Sequence, residues 1–151
     1  YKRQGAAGIP QIVAPGCYDL VDVIGWQGLA EKWDGYPTHA HNRLITSVVL
    51  READCLMVAA AQLERLATAS GRTALLVPVG GFGEWDRPGA DLHNPQGLAA
   101  FVGRLLDECP ANVQLHRLET HINNDAFADA ALAVLDGWIE DGTVPRHAAT
   151  G

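Results

Sequence analysis

The feature that most constrains the fold is the apolar segment TALLVPV (73–79), which is bounded by Gly71 and by the glycines of the next turn. A strand with one face in solvent alternates apolar and polar residues, whereas a strand covered on both faces is apolar throughout. The shorter run QIVA (11–14), stopped by proline and glycine, has the same character, and 113–118 is the next predicted strand. These strands predict a mostly parallel sheet that is buried on both faces.

Amphipathic helices are predicted between and after the strands. Leucine and alanine recur at helical spacing over 51–69, and a second apolar stripe runs through 95–109. Asn94 precedes a proline and is the predicted N-cap of that second helix, while Asn123 is the predicted N-cap of a final helix over 125–140. The alternating order predicts an α/β fold, a Rossmann-like three-layer domain with a mostly parallel sheet.

The region between the first two buried strands is harder to interpret. A loop or short helix is predicted to begin near Cys17, and residues 25–42 contain glycines, aromatics and histidines without any period. We interpret 25–42 as an irregular excursion of the kind that often carries function. The β-branched segment 44–50 is predicted to be a strand or an extended segment.

Composition narrows the classes of partner. The 151 residues suit one compact domain, 1–151. The sequence has only 11 Lys and Arg residues and a net charge of −7, and its basic residues form no basic stripe. Nucleic acids and membrane surfaces are therefore poor partners, and no apolar run reaches the ~20 residues of a membrane-spanning helix. Three cysteines without metal-type spacing favour a cytoplasmic, reducing compartment. The chain opens without Met on an apparent helix end, so an upstream region is expected.

Four polar segments could form a site: PGCYD (15–19), HAHN (39–42), GGFGEWD (80–86) and ETHINND (119–125). A parallel sheet would bring three of them together at the carboxyl ends of its strands, where ligands bind in such folds. The glycines of GGFGEWD could present backbone N–H groups to an anion, although a simple tight turn is the alternative. The carboxylates of Glu84 and Asp86 would repel a phosphate unless Mg²⁺ lay between them.

Several side chains offer chemistry. His121 follows a strand and could bind an anion or act as acid or base, or could bond only to the loop backbone. Arg51 begins a helix, where a cation opposes the helix dipole, and this favours an anionic partner, which is Asp54, Glu52 or a ligand. Cys17 is considered as a thiol nucleophile, but no histidine is close in sequence to activate it. Zinc binding by His39 and His41 is a minor alternative because HExxH and CxxC patterns are absent, and no metal site is predicted.

Four segments, in this order, resemble the C-terminal region of the Tm-1-like ATP-binding family: GIPQIVAPGCYDLVD, HAHNRLITSVVLREAD, LVPVGGFGEWDRPGADLHNP and LETHINNDAFADAAL. The resemblance implies a protein of two Rossmann-like subdomains that binds ATP, with this chain as the second subdomain. It also implies a functional role for His121 and a set of ligand-binding positions. These positions are Asp19, His41, Asn42, Arg51, Gly80, Gly81, Asp86, Asn123 and Asp125.

Three functions are therefore weighed. The first is a nucleotide-binding α/β domain, with ATP as ligand and Mg²⁺ as its ion, that completes a composite site with an N-terminal subdomain or another chain and forms a homo-oligomer. The second is an enzyme acting on a small carboxylate or phosphorylated metabolite, with His121 as acid or base and Arg51 or the glycine-turn amides holding the anion. The third is a structural interaction domain.

Overall fold

The computed structural model describes residues 2–145, which contain four α-helices and six strands. The helices are α1 (Lys2–Ala6), α2 (Glu52–Ala67), α3 (Pro95–Asp107) and α4 (Asp125–Glu140). The strands are β1 (Gln11–Val13), β2 (Leu20–Ile24), β3 (Thr38–Ala40), β4 (Ile45–Val49), β5 (Thr73–Pro78) and β6 (Val113–Leu118). Two short 3₁₀ turns lie at Glu31–Trp33 and Glu84–Asp86.

The larger sheet is parallel and has the strand order β1-β5-β6. β5 lies in its centre, with Thr73 opposite Gln11 of β1 on one side and opposite Val113 of β6 on the other. α2 and α3 pack against one face of this sheet, and α4 packs against the other. The three layers confirm the α/β, Rossmann-like fold that the sequence predicts.

Helices cover both faces of β5, which explains why this strand is apolar throughout. Leu75 and Val77 pack in the core beneath α2 and α3, whereas Ala74 and Leu76 pack on the opposite face with Trp138 of α4. None of the four strand residues has measurable exposed surface. Burial of a Leu or Val side chain stabilises a fold by roughly 1.5–3 kcal/mol, so a polar residue at any of these positions would lose that contribution.

The smaller sheet corrects the sequence interpretation of residues 17–49. β2, β4 and β3 form an antiparallel sheet with β4 in the centre, so the predicted strand at 44–50 is confirmed but belongs to this second sheet. The predicted loop or short helix near Cys17 leads instead into β2, and the predicted irregular excursion over 25–42 contains β3. These strands leave little periodic signal because Asp22 interrupts β2 and because β3 has only three residues.

The predicted helices agree closely with the structure. The helix predicted over 51–69 is α2, the one over 95–109 is α3, and α4 spans 125–140 as predicted. No helix within residues 2–145 is both long and apolar enough to span a bilayer.

Candidate functional site

Three loops meet at the carboxyl edge of the parallel sheet. Two backbone hydrogen bonds of 2.9 and 3.0 Å join the loop at 80–86 to the loop at 119–125. The loop at 15–19 joins them through the N–H of Cys17, which donates to the carbonyl of Phe82 at 3.0 Å. The predicted convergence of these segments at one sheet edge is therefore confirmed.

The carboxylate of Asp86 accepts hydrogen bonds from the backbone amides of the glycine-rich turn. Its Oδ2 accepts hydrogen bonds from the backbone N–H groups of Phe82 at 2.6 Å and Gly83 at 3.2 Å. Its Oδ1 lies 3.0 Å from Nε2 of His121, and both side chains are buried. The amides that the sequence predicts for an external anion thus bind an internal one, which satisfies these buried groups without a ligand.

His121 has a partner at each ring nitrogen. Nδ1 accepts a hydrogen bond from the N–H of Asn123 at 3.1 Å, and Nε2 lies 3.0 Å from both Asp86 Oδ1 and the carbonyl of Gly83. Because both neighbours of Nε2 are acceptors, these partners assign the proton to Nε2. Acid or base chemistry on a ligand would require breaking these bonds, so the geometry favours a structural role for His121.

Close packing explains the two glycines that open the turn. A Cβ on Gly80 would lie 2.8 Å from the carbonyl oxygen of Thr120. A Cβ on Gly81 would lie 2.6 Å from Asp86 Oδ1, and the φ of Gly81 is +122°, a conformation that side chains disfavour. Both positions therefore need glycine for the fold of the edge, independently of any ligand.

The N-cap residue of α4 differs from its prediction. Asn124 is the N-cap residue, so the prediction that Asn123 caps this helix is wrong. The N–H of Asn123 is turned towards the His121 ring, and its side chain donates to Glu84 Oε2 at 3.0 Å. This hydrogen bond is the main cause that lowers the pKa of Glu84. Asp125 is the first residue of α4 and lies in its first turn.

The HAHN segment forms a hairpin connection. Asn42 Oδ1 accepts hydrogen bonds from the N–H groups of Leu44 at 2.8 Å and Ile45 at 3.0 Å, which holds the turn between β3 and β4. His41 is exposed, with its ring 6.4 Å from that of Trp85. The structure therefore gives Asn42 a turn-forming role and places His41 at the surface of the smaller sheet.

The environment of Cys17 opposes thiolate formation. Burial raises the pKa of the Cys17 thiol, and the nearby carboxylates of Asp19, Asp86 and Asp22 raise it further. A reactive cysteine needs positive surroundings that lower its pKa. No helix starts at this residue, since β2 follows it, and the left-handed φ of +52° serves the loop. The nucleophile hypothesis gains no support.

Asp19 is a buried carboxyl with an unsatisfied oxygen. Only 4% of the residue is exposed, and Oδ1 has no hydrogen-bond partner among the described residues. Burial is the main cause that raises the pKa of Asp19 to about 6, with a further contribution from the charge of Asp86. The side chain therefore changes charge near neutral pH.

A cleft lies a short distance along the same edge, between the N-termini of α2 and α3. It has a volume of about 480 Å³. Its polar lining comprises Arg51, Glu52, Asp91, His93, Asn94 and Gln96. Of these, sequence reasoning singled out Arg51 for ligand binding and Asn94 only as a cap. None of the remaining side chains was predicted to bind a ligand, although Glu52, Asp91 and His93 lie within segments that carry the family resemblance, and only the folded arrangement of the two helices brings them together.

Asn94 joins the two helix N-termini. Its Oδ1 accepts a hydrogen bond from the N–H of Gly97 at 3.0 Å, which confirms the predicted N-cap. Its Nδ2 donates to the carbonyl of Leu50 at 2.8 Å, one residue before the N-cap of α2. A Cβ on Gly97 would lie 2.4 Å from Nδ2 of Asn94 and 3.1 Å from Sγ of Cys55, so this close approach requires glycine.

Arg51 is held at the rim of the cleft. It is the N-cap residue of α2 yet provides no side-chain cap, since its guanidinium donates to the carbonyl of Gly35 at 2.7 Å. The same group lies 4.0 Å from the centre of the Tyr36 ring, a cation–π arrangement. Asp54 Oδ2 accepts from both the Arg51 N–H and the Tyr36 hydroxyl at 3.0 Å, which fixes this corner.

No three His, Cys, Asp or Glu side chains within the described part of the chain are grouped to bind a metal ion. The sequence suggests Mg²⁺ between Glu84 and Asp86, but in the structure these two carboxylates bond to different partners. Asp86 faces inward to backbone N–H groups, and Glu84 pairs with Arg87 and Asn123.

The chain matches a family model over most of its length. Residues 1–139 match the model described as "Uncharacterised protein family (UPF0261) C-terminal domain". The chain belongs to the UPF0261 family. A UPF0261 protein of Brucella melitensis biotype 1 is 41% identical over 145 residues, which are 96% of this chain and 35% of that protein.

Two further UPF0261 relatives show the same coverage. One from Brucella suis biovar 1 is 40% identical over 140 residues, which are 93% of this chain and 34% of the relative. Another from Clostridium tetani is 26% identical over 134 residues, which are 88% and 33% of the two chains. The UPF0261 domain thus spans about a third of the length of these relatives. ATP binding and a companion subdomain, which the resemblance implies, stay predictions.

The Asp86 contact generates a stability prediction. Replacing Asp86 with Ala should lower the free energy of unfolding by about 3 kcal/mol, because it leaves two buried N–H groups without an acceptor and leaves the His121 ring with the Gly83 carbonyl as its one remaining described acceptor at Nε2. Glu119→Ala is the matched control, since it removes a carboxylate from an exposed pair with Arg117 and should change stability by at most about 1 kcal/mol. Urea unfolding measures both, and equal effects of the two substitutions would contradict the assignment.

The buried Asp19 carboxyl generates a pH prediction. Its pKa is about 6 in the fold and about 3.8 when unfolded, so the unfolded chain releases the proton first as pH rises. This group therefore lowers stability between about pH 4 and pH 6, by up to about 3 kcal/mol, and the loss is complete at higher pH. Asp19→Asn should gain stability relative to the parent by that amount over this range in urea unfolding. A difference that stays constant with pH would show that Asp19 is not buried as described.

Proposed function

We propose that this domain binds a phosphorylated small molecule in the cleft between the N-termini of α2 and α3. ATP is the candidate that the sequence resemblance supplies. The observation that carries the proposal is the position of Arg51, a cation fixed against Tyr36 at a helix N-terminus whose N-cap side chain makes no capping hydrogen bond. An anion is the ligand that would complement both the guanidinium and the helix terminus.

The helix geometry supports an anion in this cleft. Two α-helices present their N-termini to the same space, and each helix dipole places a partial positive charge there, although in α3 the Gly97 N–H already donates to Asn94. The first N–H groups of α2 receive no side-chain acceptor from the N-cap residue. Phosphate oxygens are good acceptors for such groups.

The guanidinium of Arg51 has N–H donors that its hydrogen bond to Gly35 does not use. Nη2 donates to the carbonyl of Gly35, and stacking over the Tyr36 ring fixes the orientation of the guanidinium plane. A guanidinium carries five N–H donors in a fork that suits phosphate oxygens. A ligand could therefore bind Arg51 without dismantling the contacts that position it.

Acidic residues on the cleft wall favour a magnesium complex over a bare phosphate. Glu52 and Asp91 both line the cleft and would repel a polyphosphate. Mg²⁺ prefers carboxylate and phosphate oxygens and would neutralise this repulsion. Magnesium should therefore strengthen binding of the nucleotide.

Arg51 provides the test of this function. With Mg²⁺·ATP at ~100 times its dissociation constant, the parent protein should gain about 2.7 kcal/mol of stability, seen as a raised melting temperature. Arg51→Met should weaken binding by about 1.5–3 kcal/mol, or roughly 10- to 100-fold, because a charged hydrogen bond is lost. Arg65→Met is the matched control on the same helix, since the hydrogen bond of Arg65 among the described residues goes to the carbonyl of Ala61, towards the C-terminal end of α2.

Calorimetric titration with ATP, AMP and pyrophosphate, each with and without Mg²⁺, separates nucleotide recognition from simple anion binding. Equal affinities of the Arg51 and Arg65 variants would place the ligand elsewhere. An absence of binding by all three compounds to the full-length protein would reject the function.

A further inference from the structure

The two edges of the parallel sheet differ in character. β6 forms one edge and β1 forms the other, in the order β1-β5-β6. Every residue of β6 after Val113 is at least partly exposed, and Arg117 forms an exposed ion pair with Glu119. Charged and exposed side chains protect a sheet edge from pairing with another strand. β6 therefore has the features of an edge that stays open to solvent.

β1 lacks this protection, although it lies at the opposite edge. Its three residues are uncharged, with Gln11 and Val13 buried and Ile12 partly buried. Val13 packs in the core beneath α2 and α3, whereas Ile12 packs on the other face against the cluster that contains Trp138. Strands that are covered on both faces are typical of the interior of a parallel sheet. β1 therefore has the character of an interior strand.

The outer side of β1 offers backbone groups to a further strand. The N–H of Gln11 donates to the carbonyl of Arg72 at 2.9 Å, and Ile12 lies opposite Ala74, so the amides of Gln11 and Val13 point towards β5. Successive amides of a strand point to opposite sides of it, so the N–H and the carbonyl of Ile12 point away from β5. Among the described residues, no strand pairs with this side of β1.

Helix α1 approaches β1 from the side of the sheet that α2 and α3 cover. A Cβ on Gly5 would lie 3.2 Å from Ala69, just after α2, and 3.3 Å from Nε2 of Gln11. Gln11 and Val13 are two residues apart on a strand, so both side chains point to the face beneath α2 and α3. α1 therefore lies on the same face as α2 and α3, and it leads directly into β1.

The handedness of parallel connections fixes the position of the strand that precedes α1. A connection between two parallel strands of one sheet is right-handed in about 98% of cases. The connection from β1 to β5 contains α2, and the connection from β5 to β6 contains α3. Both connections step in one direction across the sheet with the helix on the same face. A right-handed connection through α1 takes the same step, which places the preceding strand beside the outer side of β1.

The lengths of the relatives supply the chain for such a strand. The matched region covers about a third of each UPF0261 relative and is described as the C-terminal domain, so most of a protein of that length lies N-terminal to it. We infer that the chain N-terminal to α1 supplies a fourth parallel strand, which pairs with the outer side of β1. We call it the upstream strand. The order of the sheet is then the upstream strand, β1, β5 and β6.

This pairing brings the N-terminal region to the carboxyl edge of the sheet. Parallel strands end at the same edge, so the loop after the upstream strand lies beside the loop at 15–19, which follows β1. The loop at 15–19 contains Asp19, whose buried Oδ1 has no hydrogen-bond partner among the described residues. The inference makes no use of the proposed ligand, so a failure of one leaves the other intact.

Residue-resolved amide hydrogen exchange in the full-length protein that carries this domain tests the inference. The amides of Gln11 and Val13 point to β5 and are internal references on the same strand. Pairing with the upstream strand should keep the exchange rate of the Ile12 amide within about tenfold of both references, at every protein concentration. Exchange of Ile12 that is faster than this would overturn the inference. Protection that disappears on dilution, together with a dimer in sedimentation, would assign the edge to a second copy and also overturn it.

Proline substitutions provide a second readout. Proline removes a backbone N–H, which an interior strand needs for its hydrogen bonds and which an edge strand can lose on its solvent side. In the full-length protein, Ile12→Pro should therefore lower the melting temperature much more than Ile12→Ala, which removes only the side chain. Arg117→Pro and Arg117→Ala are the matched pair on β6, where the alternation of amides turns the Arg117 N–H away from β5, and they should differ less. Equal differences within the two pairs would contradict pairing at β1.

Discussion

The buried carboxylate of Asp86 organises the carboxyl edge of the parallel sheet. It accepts hydrogen bonds from two backbone N–H groups of its own turn and lies beside Nε2 of His121, a residue in the loop after the neighbouring strand β6. Through His121 it also sets the position of Asn123 and hence the residue at which α4 begins. A buried charge is costly unless it is fully hydrogen-bonded, so the close approach of these loops, which glycine at position 81 permits, is a requirement of the fold.

This interaction also decides where an external anion could bind. A glycine-rich turn after a parallel strand is a common phosphate cradle, but here the turn amides already hold a carboxylate. The proposed ligand would use the neighbouring cleft instead, where two helix N-termini and Arg51 rather than the turn would hold an anion. Asn94 makes this second arrangement possible by tying the helices together. One edge of the sheet thus contains both a turn whose amides are bonded to Asp86 and, beside it, an open cleft.

Local signals predicted the parts of the fold that depend on neighbours in sequence. The apolar segment of β5, the helical spacing in α2 and the Asn94 cap are all confirmed. β2 and β3 were missed because their stability comes from pairing with β4 and not from any local period. The inward orientation of Asp86 was missed for a similar reason, since it depends on the φ of Gly81 and on a histidine 35 residues away. The cleft residue Gln96 gave no sequence signal, and Asp91 was part of a segment that carries the family resemblance without being predicted as a ligand-binding position.

The central claim is that the turn amides are filled by Asp86 and that a phosphorylated ligand uses the α2 and α3 termini instead. A titration of the backbone amide NMR signals with Mg²⁺·ATP tests it directly. The account predicts the largest shifts at Glu52 and Gln96, which lie in the first turns of α2 and α3 and line the cleft. It predicts little change at Phe82 and Gly83, whose N–H groups are bonded to Asp86. Large shifts at Phe82 and Gly83 with none at the helix starts would contradict the claim.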